Sequence, residues 1–260
     1  MSRNIFILFV FFISKNFFAQ NDFDVITFFK SSNLCVDTNG HFEDVNCNYA
    51  RIIYPKFLDS MYSDKINQFV SGLICSYLWG DYYSDFNKYS DDFFYKYKNN
   101  NPEYPIPFWW HDIKVDVNFS SNKIIVLSLS SYLYLGGAHG AGRFVTLNYD
   151  KIVQKILVLE DIFLPNFENK FNIILNDELN RELKINGFNK LNVEINFFDE
   201  QNYYYNDINK RFSLNDNSFT IYLDFYDNLH DTRVGAYVNE INIPYSLLKN
   251  IINPEYSFNY

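Results

Sequence analysis

Apolar positions recur every three or four residues between 66 and 77, where Ile66, Phe69, Val70, Leu73, Ile74 and Tyr77 fall on one face of a helix. Ser63 or Asp64 caps its start and Gly80 its end. A second helix spans 84–98, with Phe86, Tyr89, Phe93 and Tyr97 on one face, and a strand over 49–54, stopped by Pro55, precedes both. The Asn- and Pro-rich stretch 99–107 is a loop. The period then drops to two: Ile113, Val115, Val117 and Phe119 alternate over 112–119, the chain turns at 120–122, and strands over 123–135 and 143–149 follow. These neighbours are expected to pair antiparallel. A long helix covers 166–185, with Phe167, Phe171, Ile174, Leu175, Leu179 and Leu183 in one stripe and Gly187 as terminator. After a polar, Tyr-rich stretch over 199–207, strands at 219–225 and 234–243 lead to Pro244, which opens a short helix.

This order predicts an α+β fold, a mainly antiparallel sheet with helices packed on one face. The 260 residues, 48% of them hydrophobic, suffice for one core or two small ones sharing an interface. Two subdomains in one unit are expected, 20–152 and 153–260, with a core built mainly from aromatic rings, since Phe, Tyr and Trp make up 20% of the chain.

The first nineteen residues read as a secretory signal peptide: Arg3, an unbroken apolar run from Ile5 to Ile13, and a cut after Ala19. The run is too short for a bilayer, which takes about 20 residues. A periplasmic or secreted protein with no stable membrane span after cleavage is therefore expected. Cleavage removes Arg3 and Lys15 and no acid, taking the formal charge from -9 to -11. An acidic surface disfavours nucleic acid, whose phosphates need a basic footprint, and attracts basic proteins. Of the three cysteines, Cys35 and Cys47 either form a disulfide across the turn at 37–40, leaving Cys75 as a buried thiol on a helix, or all three stay reduced.

The densest local signal is the hairpin between the second and third central strands. Gly136, Gly137, Gly140 and Gly142 crowd into seven residues, which calls for positive φ or a close approach of another segment. His139 sits near the tip, either as a hairpin histidine or as a binding or catalytic group acting with Asp150 or Asp161. Trp109 and Trp110 either anchor the sheet to a helix or present indoles on which sugar rings stack, and Tyr203 to Tyr205 form a weaker case of a sticky surface. His41, His111, His139 and His230 are scattered, without paired metal-ligand spacing, a Ca-loop pattern or a Gly-x-Ser-x-Gly nucleophile turn. Adjacent carboxylates such as Glu160-Asp161 diverge on regular backbone, so no catalytic residue, metal or cofactor is assigned.

The segment Gly136-Gly-Ala-His-Gly140, followed by Asn148-Tyr149-Asp150 and by Leu157-Val-Leu-Glu-Asp161, resembles the paired extracytoplasmic domains shared by the anti-sigma factor RsiV and the non-catalytic part of the peptidoglycan deacetylase PdaC. The segments 47–55 and 234–249 carry the same resemblance, which runs from about residue 30 to 250. It implies an exported binding protein whose partner is a basic protein such as lysozyme, or peptidoglycan. Sigma regulation and deacetylation are not expected, because no sigma-binding segment or deacetylase domain is recognisable. An envelope hydrolase or metal-dependent enzyme using His139 is the alternative.

Overall fold

The computed structural model describes residues 23–31, 48–58, 61–79, 83, 85–99, 108–187, 196–198, 211–223 and 240–256. The leader 1–19, Cys35, Cys47, His41, His230, the loop over 100–107 and Tyr203 to Tyr205 lie outside them.

Six strands form one mixed sheet in chain order: β1 (Phe23–Ser31), β2 (Tyr49–Phe57), β3 (Trp110–Ser120), β4 (Ile124–Tyr134), β5 (Ala141–Asp150) and β6 (Lys155–Ile156). All neighbours pair antiparallel except β2 and β3, which run parallel and are joined through two helices, α1 (Ser63–Tyr77) and α2 (Phe86–Asn99). A parallel pair needs such a crossover, because no tight turn can return the chain to the same end of the sheet. The rest is α3 (Leu159–Ile162), α4 (Glu168–Ile185), a three-stranded antiparallel sheet of β7 (Phe212–Leu214), β8 (Ser218–Tyr222) and β9 (Glu240–Pro244), and α5 (Tyr245–Leu248). The α+β class and the mainly antiparallel sheet are as the sequence implies.

The expected end of the second strand at Pro55 is corrected, since β2 continues to Phe57. Tyr49 N donates to Trp109 O at 3.1 Å, so odd-numbered residues of β2 turn their amides toward β3, whose pairing with β2 ends at Ile53. Beyond that point the side chain of Asn67 replaces the missing strand, accepting from Phe57 N and donating to Phe57 O, both at 2.9 Å. Pro55 faces the same gap, where an absent N–H leaves nothing unpaired.

Central β4 is buried on both faces from Ile124 to Leu129, and its two faces serve two cores. Ile125, Leu127 and Leu129 face α1 and α2, whose Ile66, Val70, Ile74, Tyr89 and Phe93 cover them together with Ile52, Ile113 and Val115. Cys75 is a buried free thiol in this layer. Ile124 and Val126 face the other way, into a core where Phe171, Leu175, Leu179 and Leu183 of α4 meet Phe212, Phe219 and Ile241 of the small sheet. Rings such as Phe163, Phe171 and Phe219 interlock at centroid distances of 5.1 to 5.7 Å, yet aliphatic residues share both cores with them, so the core is less dominated by aromatics than composition suggests. Gly187 ends α4 with φ 90° and its N–H on Lys184 O, the geometry that favours glycine.

Candidate functional site

Because side chains alternate across a strand, one face of the large sheet carries even-numbered residues of β4, of β5 and of β3 up to its bulge at 117–119, and odd-numbered residues of β2. Its lower half is closed by the small sheet. Thr146 Oγ1 and Asn148 Nδ2 both donate to Phe212 O, at 2.6 and 2.9 Å, and Asn148 Oδ1 accepts from Leu214 N at 2.8 Å. The fully buried Asn148 amide thus acts as a strand edge for β7.

Among the described residues the upper half has no such cover, and register stacks its residues in rungs. Tyr49, Trp110 and Tyr134 form one rung; Arg51, Asp112, Tyr132 and Gly142 the next; Ile53, Lys114, Ser130 and Phe144 the third. In the first rung the Trp110 and Tyr134 rings stack at 4.2 Å. The second and third rungs line an open groove of roughly 620 Å³ together with Arg143. Arg51 Nε meets Asp112 Oδ1 at 2.5 Å, and Tyr49 OH donates to Asp112 Oδ2 at 2.7 Å. Burial, and then the carboxylate it donates to, hold the Tyr49 phenol far above its ordinary range. Lys114 is balanced by Asp116 at 2.9 Å. Tyr132 and Phe144 stand as exposed walls, 43% and 42% accessible, and Phe144 meets Tyr222 of β8 edge-on at 5.0 Å. This part of the sheet face therefore combines standing aromatic rings with fixed charges.

The glycine hairpin holds one of those walls in place. Gly136 and Gly137 take φ 83° and 104°, and Tyr134 OH donates to Gly137 O at 2.7 Å. Gly140 N donates to Tyr132 OH at 3.2 Å, and a Cβ on Gly140 would lie 2.5 Å from the Tyr132 ring. Both conditions expected of these glycines, positive φ and close approach, are therefore met at different positions. His139 is exposed at the tip.

Asp150 stands at the far end of β5, a strand of 10 residues. At about 3.3 Å per residue the imidazole and that carboxylate are on the order of 30 Å apart. Asp150 is fully buried, accepting from Ile152 N, Val153 N and Tyr256 OH at 2.7, 3.0 and 3.1 Å. Asp161 accepts from Val158 N at 3.1 Å and pairs with Lys155. His139, Asp150 and Asp161 do not converge. Trp109 is buried against Trp79, Phe93 and Tyr97, at centroid distances of 5.5 to 5.9 Å, while Trp110 turns to the open face. Of two adjacent indoles, one anchors the sheet to the helices and one borders the groove. Among the described residues no group of three His, Cys, Asp or Glu side chains is arranged to hold a metal.

Sequence reasoning passed over Arg51, Asp112, Lys114, Tyr132, Arg143 and Phe144. For Asp112 and Lys114 the only signal was the polar phase of the alternation in β3, which reads as a solvated face.

Residues 43–141 match the family model for deacetylase PdaC. The chain is PdaC-like over that segment. It spans β2 to β4 and the glycine hairpin, so the PdaC-like segment supplies Arg51, Asp112, Lys114 and Tyr132, while Arg143 and Phe144 follow just beyond it. The peptidoglycan-N-acetylmuramic acid deacetylase PdaC of Bacillus subtilis (strain 168) is 28% identical over 140 residues, 52% of this chain and 28% of that protein. The match thus spans under a third of the relative's length. Two solved structures share the fold. A DUF3298 family protein from Pseudomonas aeruginosa PAO1 has a TM-score of 0.67 at 20% identity, covering 92% of this chain and 97% of that one. A member of the same family from Bacteroides fragilis has 0.61 at 19%, covering 89% and 93%. Among the described residues no helix is long and apolar enough to cross a membrane.

Proposed function

We propose that this chain is an exported cell-envelope binding protein whose open half-sheet takes cell-wall glycan. The observation that carries the reading is the groove itself: Tyr132 and Phe144 stand exposed on neighbouring strands β4 and β5, beside a floor fixed by the Arg51–Asp112 pair on β2 and β3. Sugar rings present an apolar face to aromatic rings and hydroxyls to fixed charges, and the groove offers both. The PdaC relative, as its name states, acts on peptidoglycan, and the segment similar to it supplies most of the groove. Export rests on the apolar leader and its Ala19 cut. Sedimentation with insoluble peptidoglycan tests the reading. The purified chain is expected in the pellet, and Tyr132→Ala in the supernatant with an unchanged melting temperature. Wild-type protein left in the supernatant, or a variant that pellets equally, removes it.

The net charge of -9 favours a second partner, a basic protein such as lysozyme held by the acidic surface outside the groove. Salt-sensitive binding is its signature, and absence of binding at low ionic strength eliminates it.

A further inference from the structure

The two edges of the large sheet are finished differently. One ends in β6, a strand of 2 residues. The other is β1, 9 residues long and paired with β2 along its whole length in unbroken register. Among the described residues no strand adds to its outer side. Natural proteins blunt such edges with proline, bulges or brevity, and β1 has none of these. Odd-numbered residues of β2 turn their amides toward β3, so its even-numbered residues bond to the even-numbered residues of β1 that face them. The odd-numbered residues of β1 therefore present their N–H and C=O groups outward. Val25 and Phe29, 66% and 39% accessible, belong to that set and stand on the same sheet face as the groove, Phe29 beside Tyr49 at 6.0 Å.

We infer that β1 is the interface of a two-fold dimer in which two copies of this strand pair antiparallel. The strand is complementary to itself. Centring the pair on Thr27 of both copies gives every residue from Phe23 to Ser31 an opposite residue, and it sets odd against odd, the phase that outward amides require. About ten ladder hydrogen bonds then form. The same register sets Val25 against Phe29 on the open face, Ile26 against Phe28 on the helical face, and Asp24 against Lys30 at both ends. Lys30 also contacts Asp91 of α2 at 2.6 Å, and the three donors of its ammonium serve both carboxylates. Any other two-fold centre shortens the ladder and leaves Asp24 or Lys30 without an opposite residue. A closed pair uses up the edge, so association stops at two copies. The axis stands perpendicular to the sheet, which brings both grooves to one side of a continuous sheet, and the pairing holds whether or not the groove takes glycan.

Sedimentation velocity of the purified chain over a concentration series tests the inference, and a monomer–dimer equilibrium with no larger species is expected. Thr27→Pro removes an outward N–H and no bond to β2, so it should abolish the dimer and leave the far-ultraviolet circular dichroism unchanged. Asp24→Lys and Lys30→Glu should each weaken dimerisation about tenfold, because symmetry repeats the like-charge contact, and the double exchange should restore it. These charge variants decide the matter alone if Thr27→Pro does not fold. A wild-type chain that stays monomeric up to about 0.1 mM overturns the inference and leaves the edge to a strand of another protein. Species larger than a dimer overturn it too, as do charge reversals that the double exchange fails to rescue.

Discussion

One face of the large sheet is used in two opposite ways. Where β4 and β5 carry Ile124, Val126, Thr146 and Asn148, the small sheet seals them; where they carry Ser130, Tyr132, Gly142 and Phe144, the described residues leave an open groove with Tyr222 at its edge. The same strands, with the same register, pass from one condition to the other within a few residues. Regular backbone therefore does not decide which half is covered. The side chains do, by being aliphatic or amide-bearing in the closed half and aromatic or charged in the open one.

Mutations should separate the halves by stability and by binding. The largest effect is expected in the cover: Phe212→Ala, which removes a fully buried ring stacked on Phe219, should cost about 3–5 kcal/mol in urea unfolding. A loss below about 1 kcal/mol would mean that the small sheet is loosely held. A second test uses the opposite face. His111 is buried against Tyr89 and Ser131, and burial pushes its imidazole down to about 4, so the unfolded chain takes up a proton near pH 6.5 while the folded chain does not until about pH 4. Stability is full above pH 6.5 and falls as pH drops toward 4, by on the order of 3 kcal/mol in all. His111→Gln should flatten that slope in urea midpoints taken between pH 7 and 4.5; an unchanged slope would assign the acid loss elsewhere.

Asn148→Ala comes next, at about 1–3 kcal/mol, because it leaves Phe212 O with one donor fewer and Leu214 N with no acceptor at that position. Smallest in stability is Tyr132→Ala, within about 0.5–1 kcal/mol as an exposed site, though it should weaken ligand binding. Gly140→Val sharpens the contrast further, since its side chain must displace the Tyr132 ring. Lost binding at an unchanged melting temperature would show that the hairpin positions that ring.

The helices were legible because their stripes recur at 3.6 residues, and Gly187 and Pro244 stand where the structure ends α4 and begins α5. The alternation over 112–119 gave β3 for the same reason. Other features depended on partners remote in the chain. β1 was missed because it is an edge strand whose burial pattern lacks clean alternation. The passage of β2 through Pro55 needed Asn67, and the parallel pairing of β2 with β3 is set by the packing of the crossover helices. Of the candidate site, the hairpin glycines and Trp110 could be read, as could the alternative roles of the paired indoles. The groove could not, because its rungs assemble single polar positions from β2, β3, β4 and β5, each indistinguishable alone from a solvated residue. Asn148-Tyr149-Asp150 shows the converse. One residue docks the small sheet, the next packs on Phe69 in the helical core, and the third fixes the turn into β6, so this motif serves the fold.

Backbone amide shifts recorded while a soluble peptidoglycan fragment is titrated into the labelled chain address the central claim most directly. The account predicts that changes gather at Arg51, Lys114, Tyr132 and Phe144, with Thr146 and Asn148 unmoved. Changes confined to the α1–α2 face, or to the tip around His139, would contradict it.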